Sequence, residues 1–171
     1  MTADRNVNLW APWRMEYING LGEDQGCFLC RYRDEVGKDS ENLVLWRTER
    51  TLVVMNRFPY NGGHLLVAPL GHVASLRELD EAGLAGLLAG VRDGQDVLTS
   101  VLKPQGFNVG INLGRCAGAG LPGHLHVHVV PRWEGDTNFM TVLGDIRVIP
   151  QALQALYEQL RAAAQAAGLT K

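Results

Sequence analysis

Residues 124–132, HLHVHVVPR, alternate histidine with leucine or valine over their first half. In an extended chain successive side chains point to opposite faces. Leu125, Val127 and Val129 therefore share one face, and His124, His126 and His128 share the other. The apolar set belongs in a core, which leaves the imidazoles lining a surface or a cleft. A chain built around this stretch needs a sheet packed on at least one side, with three titratable rings gathered at one place. It holds 5 histidines in all, so a cluster of three is not incidental. Two chemistries fit such a cluster. Three imidazoles on one face can bind zinc, or one can attack as a nucleophile while its neighbours orient it and supply protons. The spacing leaves both open.

The rest of the chain supplies the sheet. ENLVLWRTERTLVVMNRF holds two β-branched, apolar runs divided by the polar RTER, a hairpin signal. GGHLLVAP is a third strand closed by Pro69, and GFNVGINLG and HLHVHVVPR are two more. From Ser75 to Leu102 the leucines and valines recur at helical intervals, with Ser75 and Glu78 spaced as a capping box. Pro150 opens an alanine- and leucine-rich stretch that reads as a C-terminal helix over 150–167. Residues 1–26, with Trp10 and Trp13, read as an irregular arm with a short helix around RMEYI. The expectation is one α+β domain over 1–171, with about five antiparallel strands, one long helix and a C-terminal helix. At 171 residues a single substantial core is affordable.

Charge narrows the function. The formal net charge is -2, so no basic field advertises nucleic acid or an anionic membrane. The first residues lack the apolar run of a signal peptide, and no window approaches a membrane span. The expected setting is the cytoplasm. Ahead of the histidines lies GRCAGAGLPG, too glycine-rich for either periodicity and therefore a loop. Its backbone N–H groups can approach an anion closely, and Arg115 and Arg132 flank it. A histidine nucleophile beside an anion cradle is equipment for phosphoryl or nucleotidyl transfer.

HLHVHVV at 124–130 resembles the signature of the histidine triad family, His-φ-His-φ-His-φ-φ with φ apolar. MNRFPYNGGHLLVAPLGH and NVGINLG are similar to further family blocks in the right order, so the likeness spans about residues 27–140. The PRW that follows, and GDTNFM at 135–140, are similar to the branch holding fragile-histidine-triad hydrolases and bacterial diadenosine polyphosphate phosphorylases. The resemblance implies a nucleoside phosphate bound with its α-phosphate against the triad. It implies His126 as the nucleophile that forms a nucleotidyl-histidine, His124 as its neighbour, His128 beside the phosphate and leaving group, and His64 supporting the cluster. Asn56 matches the residue that holds ribose hydroxyls in relatives, and Asn112 one that contacts phosphate or ribose. Many relatives carry a Ser, Thr or Gln element just before the triad; GAGLPG has none of these. Main-chain amides of Gly118, Gly120 and Gly123 are left to hold the phosphate, which favours an acceptor other than water.

Cys27-x-x-Cys30 alone fits a zinc knuckle, a redox pair or two core thiols. The resemblance implies a structural zinc, because some relatives with this early pair bind one through two further histidines. Those positions are His72 of PLGH and His124, completing a closed Cys2His2 set. Cys116 has no apparent partner. The function implied is cleavage of dinucleoside polyphosphates such as diadenosine tri- or tetraphosphate at the α-phosphate, resolved by water or by inorganic phosphate. Two alternatives share the family: a nucleotide-binding module with weak catalysis, and an aminoacyl- or phosphoramidate-nucleotide hydrolase. A third is a metalloenzyme whose zinc sits on the triad itself. Relatives pair commonly, so a homodimer is expected.

Overall fold

Every residue of Thr51–Met55 (β2) and of Leu65–Pro69 (β3) is buried, so both strands are covered on both faces. The computed structural model describes residues 26–136 and 152–170. Within them the chain runs α1 (Phe28–Asp34), α2 (Asp39–Asn42), β1 (Val44–Arg47), β2, β3, α3 (Glu81–Leu102), β4 (Gly106–Ile111), β5 (Val127–Arg132) and α4 (Leu153–Ala166). The five strands form one sheet in the order β1-β2-β3-β5-β4, antiparallel at each neighbouring pair. The expected hairpin is there: Thr48 N–H donates to Thr51 O at 2.9 Å across the RTER turn.

Alternation assigns the two faces. Val53, Leu65, Val67, Val127 and Val129 pack with Leu87, Val91 and Leu98 of α3 and with Leu156, Tyr157 and Leu160 of α4. On the other face Val44, Leu52, Val54, Leu66 and Ala68 pack with Leu29 and Tyr32 of α1. That second cluster draws on β1 to β3 only. The same face over β5 and β4 is left for the site. Truncating one of the fully buried leucines to alanine costs about 2–5 kcal/mol in proteins generally.

The long helix reaches the sheet through its glycines. A Cβ at Gly90 would lie 2.8 Å from Val67 Cγ1, and one at Gly94 3.3 Å from Leu65 Cδ1. Glycine weakens a helix interior, yet here it sets how closely α3 packs.

Two sequence expectations need correction, and two further elements are placed more closely. The Ser75–Leu102 helix is two elements. Glu78 does reach back to the Ser75 N–H, at 2.8 Å, but this closes only a 3-10 turn over Leu76–Glu78. The helix proper starts after Asp80, whose carboxylate accepts from Gly83 N–H at 2.6 Å; a carboxylate there also suits the positive end of the helix. The triad strand joins the ladder at Val127 rather than at His124. The C-terminal helix spans Leu153–Ala166, and Pro150 lies outside the described residues, as do Trp10, Trp13 and 137–140 of GDTNFM. Finally, the glycine-rich loop contains a 3-10 turn over Arg115–Ala117.

Candidate active site and metal centre

His128 stands in β5 between two neighbours, opposite Leu66 of β3 and Gly110 of β4. His124 and His126 lie in the extended run that enters the strand, held by the Leu125 N–H bond to Val73 O at 2.7 Å. Leu125 still faces the core beside Val127 and Val129. His64 precedes β3 and follows Gly63, whose φ of 85° is a left-handed value that favours glycine. The expectation that all three triad rings line an open face is only partly met. His124 and His126 are 2% and 7% exposed and His64 is buried with them, whereas His128 borders a cleft.

Hydrogen bonding fixes the protons. His126 Nδ1 lies 2.8 Å from the His124 carbonyl oxygen. A carbonyl only accepts, so Nδ1 carries the hydrogen and Nε2 keeps its lone pair. His64 Nδ1 receives the Tyr60 N–H at 3.1 Å. It also lies 3.2 Å from Asn56 Nδ2, and Asn56 is oriented because its Oδ1 accepts from Phe58 N–H at 3.0 Å. His64 Nε2 must then hold the hydrogen, which it donates to His128 Nδ1 at 2.9 Å. His128 Nδ1 accepts, so its own hydrogen sits on Nε2. The His126 and His128 rings meet edge to face with centroids 4.9 Å apart. One presents a lone pair and the other an N–H. Burial lowers the His126 pKa below its usual 6.5, against the opposing pull of its carbonyl bond. The neutral form is favoured.

A cleft of about 400 Å³ opens beside His128, lined by Tyr60, Asn108, Gly110, Asn112, Ala117 and Val130 among others. The Tyr60 ring stacks on His64 with centroids 4.7 Å apart. Asn112 Nδ2 donates to Gly118 O at 3.5 Å; the same nitrogen stands 3.5 Å from His128 Nε2, where two N–H groups face each other and no hydrogen bond forms. Asn56, by contrast, is engaged with its own turn and with His64. In the loop, the Gly118 N–H already donates to Arg115 O at 3.0 Å. A side chain added at Gly123 would lie 3.6 Å from His72 Nε2. Arg132 is not a spare cation. Its guanidinium forks onto Asp136, with Nε–Oδ2 at 2.6 Å and Nη2–Oδ1 at 2.8 Å, and its Nη1 donates to Asn108 Oδ1 at 2.6 Å.

Cys27, Cys30, His72 and His124 converge, with one donor atom from each within 4.8 Å of the others. Cys27 sits at the N-cap of α1, and its sulfur accepts from Cys30 N–H at 3.4 Å. Cys27 Sγ lies 3.1 Å from His124 Nδ1, and Cys30 Sγ lies 3.2 Å from His72 Nδ1. A tetrahedral zinc with bonds of about 2.0–2.3 Å spaces its ligand atoms at roughly 3.5 Å, so the four donors fit with small adjustments. His124 Nε2 is tied to Pro69 O at 2.9 Å, which puts its hydrogen there and turns the Nδ1 lone pair to the thiols. The donor set is closed. Burial, then the hydrogen bond and charge of Cys27, push the Cys30 thiol up; burial lowers His124. Cys116 is exposed and stands apart from the cluster.

Sequence reasoning missed Tyr60, Asn108 and the Pro69 carbonyl. Tyr60 lies within MNRFPYNGGHLLVAPLGH, but a stacking role needs the three-dimensional neighbour. Asn108 sits two residues from Gly110 in a strand, so its facing toward the cleft was readable once β4 was placed.

The HIT domain family model matches residues 38–135, over half of the chain. An AP-4-A phosphorylase of Mycobacterium tuberculosis (strain ATCC 25618 / H37Rv) is 41% identical over 157 residues, covering 88% of this chain and 80% of that protein. A bis(5'-nucleosyl)-tetraphosphatase [asymmetrical] of Schizosaccharomyces pombe is 37% identical over 93 residues, 54% of this chain and 50% of that one. Among solved structures, a Zn-bound histidine triad family protein from Mycobacterium smegmatis superposes with a TM-score of 0.65 at 28% identity, covering 84% of this chain and 96% of its own. With a family model over more than half of its length and a 41% identical relative covering 88% of it, the chain belongs to the histidine triad family.

Proposed function

We propose that the protein cleaves dinucleoside polyphosphates, diadenosine tetraphosphate foremost, at the α-phosphate by double displacement with inorganic phosphate as the final acceptor. The observation that carries this is the opposite placement of hydrogens on His126 and His128. His126 Nε2, with its lone pair free of a hydrogen, attacks the α-phosphorus. The bond from phosphorus to the bridging oxygen breaks, and that oxygen leaves with the electron pair. His128 Nε2–H supplies its proton, and the His64 contact behind it holds the tautomer. ATP departs, and AMP remains on His126. Phosphate then attacks the phosphorus, the nitrogen bond breaks, and ADP forms.

Binding falls to neighbouring groups. Asn56 is assigned to the ribose and Asn112, beside His128, to phosphate. The amides of Gly120 and Gly123 hold phosphate oxygens, with Gly118 shaping the turn. GAGLPG brings no hydroxyl or amide side chain to orient a water, whereas backbone N–H groups suit a small anion. The resemblance to a protein named AP-4-A phosphorylase supports the same acceptor.

The cation held by Cys27, Cys30, His72 and His124 is assigned as zinc, on the strength of two thiols and two imidazoles and of a Zn-bound relative. Bound there it supplies structural cross-linking. The chain is assigned as a homodimer through the β4 edge and α3, where Val109 and Leu88 are exposed apolar residues. Among the described residues no helix is long and apolar enough to cross a membrane.

The deciding experiment is product chromatography across a phosphate titration. Millimolar phosphate should speed the cleavage of diadenosine tetraphosphate and shift its products from ATP plus AMP to ATP plus ADP. If AMP remains the sole partner of ATP at every concentration, the enzyme is a hydrolase.

A further inference from the structure

The departing oxygen must lie where it can take the His128 Nε2 hydrogen, and His128 forms part of the wall of the cleft beside β4. The leaving group therefore extends into that cleft. Its volume of about 400 Å³ falls within the roughly 300–1,000 Å³ of small-molecule sites. It is far more than the ~30 Å³ share of one water. Gly110 faces His128 across the ladder, and a Cβ there would meet nothing within 4 Å, so the floor runs open along β4. Two residues on, and on the same face, stands Asn108. Arg132 Nη1 donates to Asn108 Oδ1 at 2.6 Å, which fixes the amide and makes its N–H2 group what Asn108 offers to the cleft. The Asp136 carboxylate behind it is taken up by Arg132, by Asn61 Nδ2 at 3.0 Å and by Trp133 N–H at 3.2 Å. Tyr60, 37% exposed, closes the opposite wall.

Resting on the function proposed above, we infer that the cleft between Tyr60 and β4 is the subsite for the leaving nucleoside polyphosphate, and that Asn108 is its specificity-determining residue. Phosphate oxygens only accept, and an amide whose oxygen is already engaged only donates. The match is one of hydrogen-bond polarity. The subsite makes the enzyme selective for a long, anionic leaving group over a small neutral one.

The test compares Asn108→Ala and Asn108→Asp with the unaltered chain. The aspartate keeps an acceptor for Arg132 and replaces the donor by a charge that repels phosphate. Substrates are diadenosine tetraphosphate and adenosine 5′-phosphoramidate, whose leaving group is ammonia. For Asn108→Ala, kcat/KM on the dinucleotide should fall about tenfold, the scale of one hydrogen bond to a charged group. The fall should be larger for Asn108→Asp, and in both variants several times larger than on the phosphoramidate. Calorimetric titration should show ATP affinity weakening in the same order and AMP affinity moving much less. Equal losses on both substrates, or unmoved ATP affinity, overturn the assignment. ATP binding needs no turnover, so an unaltered chain that fails to cleave the dinucleotide would sink the proposed function and still leave the subsite testable.

Discussion

The main-chain carbonyl of His124 accepts the Nδ1 hydrogen of His126 at 2.8 Å. The side chain of the same His124 points its Nδ1 at Cys27, 3.1 Å away. A single residue thus belongs to the cation cage by its ring and to the proposed nucleophile by its backbone. Whatever displaces His124 also loosens the bond that keeps the His126 lone pair on Nε2.

Replacing the nucleophile should separate chemistry from binding. His126→Ala is expected to lower kcat by several orders of magnitude while nucleotide affinity changes little, because it removes the proposed covalent catalysis and leaves the contacts proposed for Asn56 and Asn112. Single-turnover kinetics with a parallel binding titration measures both. A variant keeping a tenth of the activity would remove His126 from the role.

His128 should matter in proportion to how badly the leaving group needs a proton. His128→Ala is expected to cost about 10²–10⁴-fold on a poorly departing group. With an activated group such as p-nitrophenolate on AMP the loss should be much smaller. A loss independent of leaving-group pKa would show that His128 positions substrate rather than donating its hydrogen.

The cage predicts a metal content. Protein made with ample zinc should carry about one ion per chain by elemental analysis, and Cys27→Ser or Cys30→Ser should lose it. Chelation should lower the melting temperature. One zinc that survives both cysteine changes but not His126→Ala would place the metal on the triad instead.

Gly63 offers a test that touches no reacting group. Its φ is 85°, and an added Cβ would lie 2.6 Å from Leu102 Cδ1. Gly63→Ala should destabilise the fold by about 1–3 kcal/mol through backbone strain and the shift demanded of Leu102. Urea unfolding reads this directly; a neutral result would mean that the turn before His64 relaxes freely.

What could be read in the sequence follows from the range of the forces involved. β-branched runs and the histidine alternation are local, so five strands, the long helix and the core face of Leu125, Val127 and Val129 were legible. The four cage residues were legible only through resemblance, and the fold then brings them together. Helices α1 and α2 span only Phe28–Asp34 and Asp39–Asn42, too short for periodicity to register. Two capping signals compete near residue 78, and choosing Asp80 needed the tertiary position of α3. The pairing of Arg132 with Asp136, which removes a cation from the phosphate cradle, depends on a turn that no pattern marks. Tyr60 and Asn108 acquire meaning only once His64 and β5 stand beside them.

The contacts that create the site bridge long stretches of chain: 97 positions separate Cys27 from His124, and 64 separate His64 from His128. Loops of that size close late, after the entropy of pairing β3 with β5 has been met. A nascent or partly folded chain consequently holds neither the cage nor the defined tautomers. Both clusters depend on the strand pairing that completes the sheet, so a chain ending before β5 lacks the cage and the triad together.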